Sequence, residues 1–489
     1  MTRKLLKDVS ASTIQVIVNQ LLGLAVFLLI SFYLSKDAYG ELNWSIAVMA
    51  FITTVLGLRL EQIVVKKSAA VQDASGIMTL FMIHVLLSGA GFYLLLFILS
   101  FIFPTFFTAH NMLLLLALSQ LFIFFSSPFK QTANGKERFD YLAIMSSTSN
   151  LIRSIALFFI IAFYHLSIQW VLIIFITSSF FELVVSFFFV TRLMKIPLSA
   201  KISFGDYKIF LKESLPQIGA AVLMAGISRL DWILLGFFST ASLTAEYSFA
   251  YRVYELSPFP LLVIAPVLIS RLARYFTNHS EQSLLQKKKE LSLLIRTEMI
   301  AATLIPLVLN IIWTPVIDSL TGNKYGAVNQ WTFFILSICI PFQYINNIIW
   351  SAHFTQNRLK LIFRITLITF CIILTGDLLL IPLYNVKGAA LVYLSAVIIE
   401  YINYMRSSEL SKIRETWQSL FICLTAAGCS GFAAFYFLDD ILWRLVFALS
   451  LFFILLLATR QLRTNDMIYV LQLVRNKKPD ESNNSAITK

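Results

Sequence analysis

Fourteen apolar stretches run along this chain, each near the roughly 20 residues a helix needs to cross a hydrocarbon core at 1.5 Å per residue. The gaps between them alternate in basic content from end to end. Of 39 Lys and Arg, only Lys36, Lys324, Lys387 and Arg444 fall in the odd-numbered gaps or at the span ends beside them, while Arg153, Arg229 and Arg252 lie inside apolar blocks. The others occupy the N-terminus, the even gaps or the span ends beside them (Arg59, Arg296 and Arg364), and the C-terminal tail. A chain that folds in water has no reason to sort charge by gap parity. Membrane insertion does, because Lys and Arg are retained on the cytoplasmic side. The pattern predicts an all-α, polytopic inner-membrane protein with both termini in the cytoplasm.

The spans are expected at 13–34, 43–60, 77–103, 111–129, 142–164, 168–190, 215–238, 247–270, 293–313, 331–352, 361–381, 387–405, 416–437 and 441–458. Trp44, Trp170, Trp313 and Trp331 cluster near the proposed outer ends, as interfacial anchors do. The N-terminus Met1-Thr2-Arg3-Lys4 resembles the charged start of a signal peptide. The apolar run that follows is too long for a signal core and lacks a small-x-small exit, so it is read as an uncleaved first span.

Composition excludes several classes. The chain is 58% hydrophobic and 13% charged with a formal charge of +13, but the basic residues punctuate spans and form no patch on one folded domain. They are read as topology determinants and contacts to anionic lipid, with no nucleic-acid partner. Cys339, Cys371, Cys423 and Cys429 all sit in apolar stretches and read as buried hydrophobes. His84, His110, His165, His279 and His353 show no metal-ligand spacing, and no Gly-x-x-x-x-Gly-Lys-Ser/Thr occurs. The external gaps carry no domain that could house catalysis. No catalytic residue, metal or cofactor is therefore assigned, and the chain is not expected to be an enzyme. Energy would come from an ion gradient (H⁺ or Na⁺) or from the substrate gradient.

Residues 191–214 differ from the other gaps. Lys195-Ile-Pro197 and Lys201 through Lys212 interleave apolar and basic residues at near-helical spacing, which predicts an amphipathic linker on the cytoplasmic face. It separates two halves that echo one another at an offset of about 205 residues. Tyr33-Leu-Ser35 through Gly40-Glu41 and on to Ala47 aligns with Phe237-Phe-Ser239 through Ala245-Glu246 and on to Ala250. Gly135-Lys-Glu-Arg138…Glu182 aligns with Gln356-Asn-Arg358…Glu400. Six spans per half is an even number, so both halves enter the bilayer in the same direction and form a parallel repeat around a cleft. The expected organisation is a lobe of helices 1–6 (residues 1–190), the linker (191–214), a lobe of helices 7–12 (215–405), helices 13–14 (406–458) and a disordered cytoplasmic tail (459–489). Two lobes around a cleft describe a carrier that alternates access.

The stretch Ser214-Leu-Pro216-Gln-Ile-Gly219…Ser228-Arg229-Leu-Asp231-Trp…Gly236…Tyr247-Ser-Phe-Ala250-Tyr251-Arg252…Leu268-Ile-Ser-Arg271-Leu-Ala273-Arg274 resembles the seventh and eighth spans of the Wzx-type O-antigen flippases. Those polysaccharide-export carriers share a superfamily with the MATE exporters and the lipid II flippases. Tyr39-Gly40, Gly57-Leu58 and Asn385-Val-Lys387-Gly388-Ala-Ala390-Leu391 fit the same pattern. The resemblance covers roughly residues 10 to 410. It implies a MATE-like fold and movement of a polyprenyl-diphosphate-linked oligosaccharide from the cytoplasmic to the outer leaflet of a bacterial inner membrane. The setting would be O-antigen, lipopolysaccharide or other surface polysaccharide synthesis, with the polymerase machinery as a further partner. The competing reading is a MATE-type ion-coupled antiporter of small molecules or drugs.

A charge at mid-bilayer costs roughly 2.5–3.5 kcal/mol on insertion scales, so each one is a functional candidate. Arg252 and Glu255 lie at i, i+3 in span eight; Arg229 and Asp231 lie at i, i+2 in span seven. In families the chain resembles, spans one, two, seven and eight line the central cavity. An anionic diphosphate crossing it needs cations, and the planar guanidinium binds two oxygens at once. Arg229 and Arg252 are the candidates to steer the diphosphate, the alternative being closed pairs with Asp231 and Glu255. Those two acids are also candidates for ion coupling. Arg153 is a further diphosphate candidate, but it lies at the depth of Glu182 and a structural pair is favoured there. Arg59, close to the inner end of span two, can snorkel or catch the diphosphate as it arrives. Gln15, Asn19 and Gln20 form one polar stripe in span one, suited to sugar hydroxyls or to interhelical hydrogen bonds.

Overall fold

A computed structural model describes residues 3–199, 203–258 and 281–462. Within these, helices occupy the positions expected of the apolar blocks. They are α1 (Arg3–Tyr33), α2 (Lys36–Leu56), α3 (Leu60–Ala70), α4 (Ser75–Ile102), α5 (Pro104–Ala109), α6 (Leu113–Gly135), α7 (Phe139–Phe163) and α8 (Ile168–Phe188). The second half contributes α9 (Phe204–Phe238), α10 (Ala241–Leu256), α11 (Glu281–Thr321), α12 (Gly326–Thr355), α13 (Leu359–Ser407), α14 (Glu415–Phe437) and α15 (Ile441–Ala458). The 49-residue α13 holds two expected spans. They fold back at Asn385, whose backbone is non-helical (φ 49°, ψ −128°), three residues after Pro382. Among the described residues, ten helices are long and apolar enough to cross a membrane, and α2 with α3 passes the same test as a bent pair. The protein is a multi-pass membrane protein. The second part of expected span eight, the motif from Leu268 to Arg274 and the tail from residue 463 lie outside the described residues.

Contacts group the chain into two compact units, one of residues 1–254, 317–336 and 360–400, the other of residues 255–316, 337–359 and 401–489. In the first, α6 is the central post. It packs on α8 through Ser119, whose hydroxyl bonds the Phe175 carbonyl at 2.9 Å and the Ser179 hydroxyl at 2.9 Å. Leu60, Ile63, Val64, Phe81, Val85, Leu121 and Phe124 close a core among α3, α4 and α6. In the second unit α14 and α15 form a hairpin, tied by Ser419 to Gln461 at 2.9 Å. Asp440 starts α15 by accepting from the amides of Leu442 and Trp443, filling two of the donors a helix N-terminus leaves open. Phe432, Tyr436, Leu442 and Trp443 stay exposed on this hairpin, as side chains facing lipid do.

Within the first unit, Asn43 donates to the Ser248 hydroxyl at 3.1 Å, across the 205-residue offset read from the sequence. Gly40 makes that approach possible: a Cβ there would run into the Ala241 carbonyl.

The linker region is partly helical. A π-helical turn (Phe189–Leu193) ends α8, and helix resumes at Phe204, where Ser203 and Asp206 form a capping box. From there α9 runs unbroken into the span, as one helix of 35 residues. Its first turns dock on the first unit: Phe210, 2% exposed, joins the core of α3, α4 and α6, and Glu213 pairs with Lys67 at 2.8 Å, while Phe204 and Ile209 stay exposed.

Candidate functional site

The helical path of α2 fails after Leu56. Leu58 and Arg59 both take left-handed backbone conformations (φ 48° and 59°), and the chain restarts as α3 at an angle of 52° to α2. Neither residue is glycine, so the conformation costs roughly 1–2 kcal/mol at each. Strain of this kind persists where surrounding structure holds it and collects at functional sites. Leu60 donates to the Gly57 carbonyl at 2.9 Å, which frees the Leu56 carbonyl. His84 of α4, 4% exposed, meets that carbonyl with Nε2 at 2.8 Å.

The bend opens a cavity of about 300 Å³ between α2, α3 and α6. Arg59 and Glu61 line it from the bend, and Gln120, Ser127, Lys130 and Gln131 from α6. Among the described residues Arg59 makes no ion pair. Glu61 accepts from the Ser127 hydroxyl at 3.2 Å. Lys130 is held at 2.6 Å by Glu182 of α8, with side chains 15% and 3% exposed. The cavity thus presents a guanidinium outside any ion pair among the described residues, an ammonium paired with Glu182, the Glu61 carboxylate, and amide and hydroxyl groups. That set suits a phosphate oxygen cluster with polar groups beside it.

Arg153 and Glu182 do not pair with each other as expected. Arg153 donates from Nε to Ser178 at 2.9 Å and from Nη2 to Ser179 at 2.8 Å, with its guanidinium 4.2 Å from the Phe175 ring centroid. Glu182 takes Lys130 and Ser126. Arg153 points into the α7–α8 packing, and its partners are one turn short of Glu182 on α8. Asn19 is engaged between helices: Asn150 of α7 donates to its Oδ1 at 2.8 Å. The Gln15 side chain lies outside the described residues.

In the second repeat Asp231 is 1% exposed and accepts from the Tyr247 hydroxyl at 2.5 Å and from the Trp232 amide at 2.8 Å. Trp232, Tyr251, Tyr254 and Tyr393 pack edge to face around it. Asp377 of α13 is equally buried; neither carboxylate oxygen has a hydrogen-bond partner among the described residues, and it lies within electrostatic range of Asp231. Arg229 donates to the Ser228 carbonyl at 3.0 Å and lies 5.0 Å from the Trp232 ring. Arg252 and Glu255 occupy the last turns of α10, half-buried. Sequence reasoning assigned no site role to Lys130, Glu61, His84 or Asp377.

The opposite end of α2 is tied shut. Lys36 pairs with Glu246 of α10 at 2.7 Å, Asn329 of α12 donates to the Glu246 carbonyl at 2.9 Å, and Lys324 donates to the Phe32 and Leu34 carbonyls at 2.6 and 2.9 Å. Phe249 stacks on Tyr325 at 4.4 Å. Trp44 donates to the Ile233 carbonyl at 3.1 Å and lies so close to Gly236 that no Cβ fits there. By helical rise this end is roughly 30 Å from Arg59.

A sequence model described as "Polysaccharide biosynthesis protein" matches residues 5–276. No individually curated protein matches the chain. Among solved structures, the lipid II flippase MurJ in an inward closed conformation is similar at a TM-score of 0.71, with 17% identity over 95% of this chain and 99% of that one. An inward-facing multidrug resistance MATE transporter gives a TM-score of 0.60 at 13% identity, covering 82% and 96%. A point mutant of the Vibrio cholerae MATE transporter VcmN gives 0.54 at 15%, covering 84% and 99%. These likenesses establish a MATE-like fold, shared with the lipid II flippase MurJ. The match over more than half of the sequence establishes kinship: the chain belongs to the polysaccharide biosynthesis protein family.

Proposed function

We propose that this protein is a flippase for a polyprenyl-diphosphate-linked oligosaccharide. The lipid-linked saccharide is loaded from the cytoplasmic leaflet of a bacterial inner membrane and delivered to the outer leaflet for surface polysaccharide synthesis such as O-antigen. Arg59 and Lys130 receive the diphosphate in the bend cavity. The observation that carries this reading is the unpaired guanidinium of Arg59 in a polar cavity of about 300 Å³. The closed Lys36–Glu246 end and the bend at the other end of α2 suit a carrier loaded from the basic, cytoplasmic side. Arg229 and Arg252 then steer the diphosphate through the cleft, and the glycan passes to the polymerase machinery.

An unpaired buried carboxylate is several kcal/mol too costly to remain ionised alone. Asp377 with Asp231 is therefore the site where H⁺ or Na⁺ couples transport to an ion gradient. The same pair favours the second reading, a MATE-type antiporter exporting a cationic small molecule. The cations of the bend cavity speak against it.

The test is leaflet exchange in proteoliposomes of a fluorescent polyprenyl-diphosphate sugar, read by dye access from outside. Exchange above protein-free liposomes that falls at least tenfold in Arg59→Ala supports the reading. Exchange at the protein-free rate, with ion-driven efflux of a cationic dye, would replace it by the antiporter.

A further inference from the structure

His84 joins two elements that are far apart in sequence. Its Nε2 faces the Leu56 carbonyl at 2.8 Å and its Nδ1 faces the Tyr207 hydroxyl at 2.9 Å. A carbonyl only accepts, so Nε2 carries the proton and donates to Leu56; Nδ1 then accepts from the Tyr207 O–H. Leu56 supplies the carbonyl that the bend sets free, and the bend is what aims Arg59 into the cavity. Tyr207 stands on the first turns of α9, the stretch docked by Phe210 and Glu213 on the core of α3, α4 and α6. A chain of two hydrogen bonds thus runs from the docked arm of α9 through α4 to the strained turn beside Arg59.

We propose that His84 and Tyr207 are positioning residues for the anion cavity: the arm of α9 (residues 204–215), when docked, holds the left-handed Leu58–Arg59 turn in the geometry that presents the guanidinium. The inference rests on the flippase reading of the cavity and adds a control to it. Because α9 opens the second repeat, movement of that repeat that pulls the arm away removes the Tyr207 bond, slackens the Leu56 carbonyl and releases the anion. Neither side chain lines the cavity, so their influence on anion affinity has to pass through the bend.

The test is calorimetric titration of the full chain in nanodiscs with inorganic pyrophosphate, comparing wild type, Arg59→Ala, Tyr207→Phe, His84→Ala and the Arg59→Ala/Tyr207→Phe pair. Tyr207→Phe keeps the ring and deletes one hydrogen bond, so pyrophosphate binding should weaken about fivefold, and His84→Ala about tenfold or more. In the Arg59→Ala background Tyr207→Phe should add nothing, since the two act on one path. Hydrogen exchange of the 56–60 amides should quicken in Tyr207→Phe. Binding within twofold of wild type in Tyr207→Phe, with Arg59→Ala impaired, overturns the positioning role while leaving the cavity reading intact. Weakened binding with unchanged exchange at 56–60 also overturns it, because the effect then bypasses the bend. Wild-type protein that does not bind pyrophosphate removes both.

Discussion

Replacing Glu182 by glutamine should lower stability and strengthen anion binding at once. The carboxylate lies 2.6 Å from Lys130 Nζ, and the side chains are 3% and 15% exposed. At that distance, with an effective dielectric near 20, the attraction is about 6 kcal/mol, and desolvating both ions takes back several kcal/mol. Removing one partner leaves the other dehydrated and unmatched, which costs about 3–5 kcal/mol for a buried pair. Because Lys130 keeps some solvent contact, about 3 kcal/mol is the expected loss. Glutamine can still accept from Ser126, which Glu182 does at 3.3 Å, so the deficit belongs to the lost charge. Neutralising both groups, as Lys130→Met/Glu182→Gln, should recover stability to within about 1 kcal/mol of wild type. The cavity in Glu182→Gln carries an extra positive charge, so pyrophosphate should bind about fivefold tighter. Unfolding in mixed micelles, followed by tryptophan fluorescence, gives the first quantity, and titration calorimetry gives the second. A loss under about 0.5 kcal/mol, or weaker pyrophosphate binding, would refute the assignment of Glu182 as the residue that holds and neutralises Lys130.

Other expectations concern the closed end and the buried acids. Gly236→Ala forces a methyl into the Trp44 ring and should destabilise by about 1–3 kcal/mol, read in the same unfolding assay. An Asn43→Cys/Ser248→Cys pair should cross-link within one chain on mild oxidation; a pair that stays reduced would contradict contact between repeat-equivalent residues. Lys36→Met leaves Glu246, whose side chain is 12% exposed, without its cation, and should raise thiol labelling of a cysteine placed at Tyr39 severalfold. Asp377→Asn should abolish stabilisation by Na⁺ or by acidification. At a hundredfold excess over its Kd a coupling ion stabilises wild type by about 2.7 kcal/mol, and an undiminished response in the variant would remove Asp377 from the ion site.

Hydropathy and charge parity made the spans legible, because depth in the membrane is written directly into composition. The offset that aligns Glu41 with Glu246 is also the separation between Asn43 and Ser248, which hydrogen-bond each other. What a residue faces around its helix was harder to read. Arg153 and Glu182 share a depth, yet the α7–α8 packing gives Arg153 to Ser178 and Ser179 and leaves Glu182 to Lys130. Lys130 and Glu61 were counted as gap charges, since nothing in Gly57-Leu58-Arg59 signals a bend. Left-handed turns usually carry glycine or asparagine, and here Leu58 and Arg59 hold that conformation themselves. The polar stripe of span one pointed to sugar or to interhelical hydrogen bonds, and Asn19 accepts one such bond from Asn150. Asp377 sits late in its span, and Val392, beyond the fold-back at Asn385, packs over the neighbouring Gly376.

The central claim is that the bend cavity receives the diphosphate. Site-specific photo-cross-linking tests it most directly. A benzophenone side chain would be placed at Gln131 in the cavity and, in a control, at Thr177, an exposed position of α8. Each protein would be illuminated with a radiolabelled polyprenyl-diphosphate saccharide in membranes. The account expects labelling at position 131, competed by excess pyrophosphate and lost in the Arg59→Ala background, with none of that competition at 177. Equal, uncompeted labelling at both positions would contradict it.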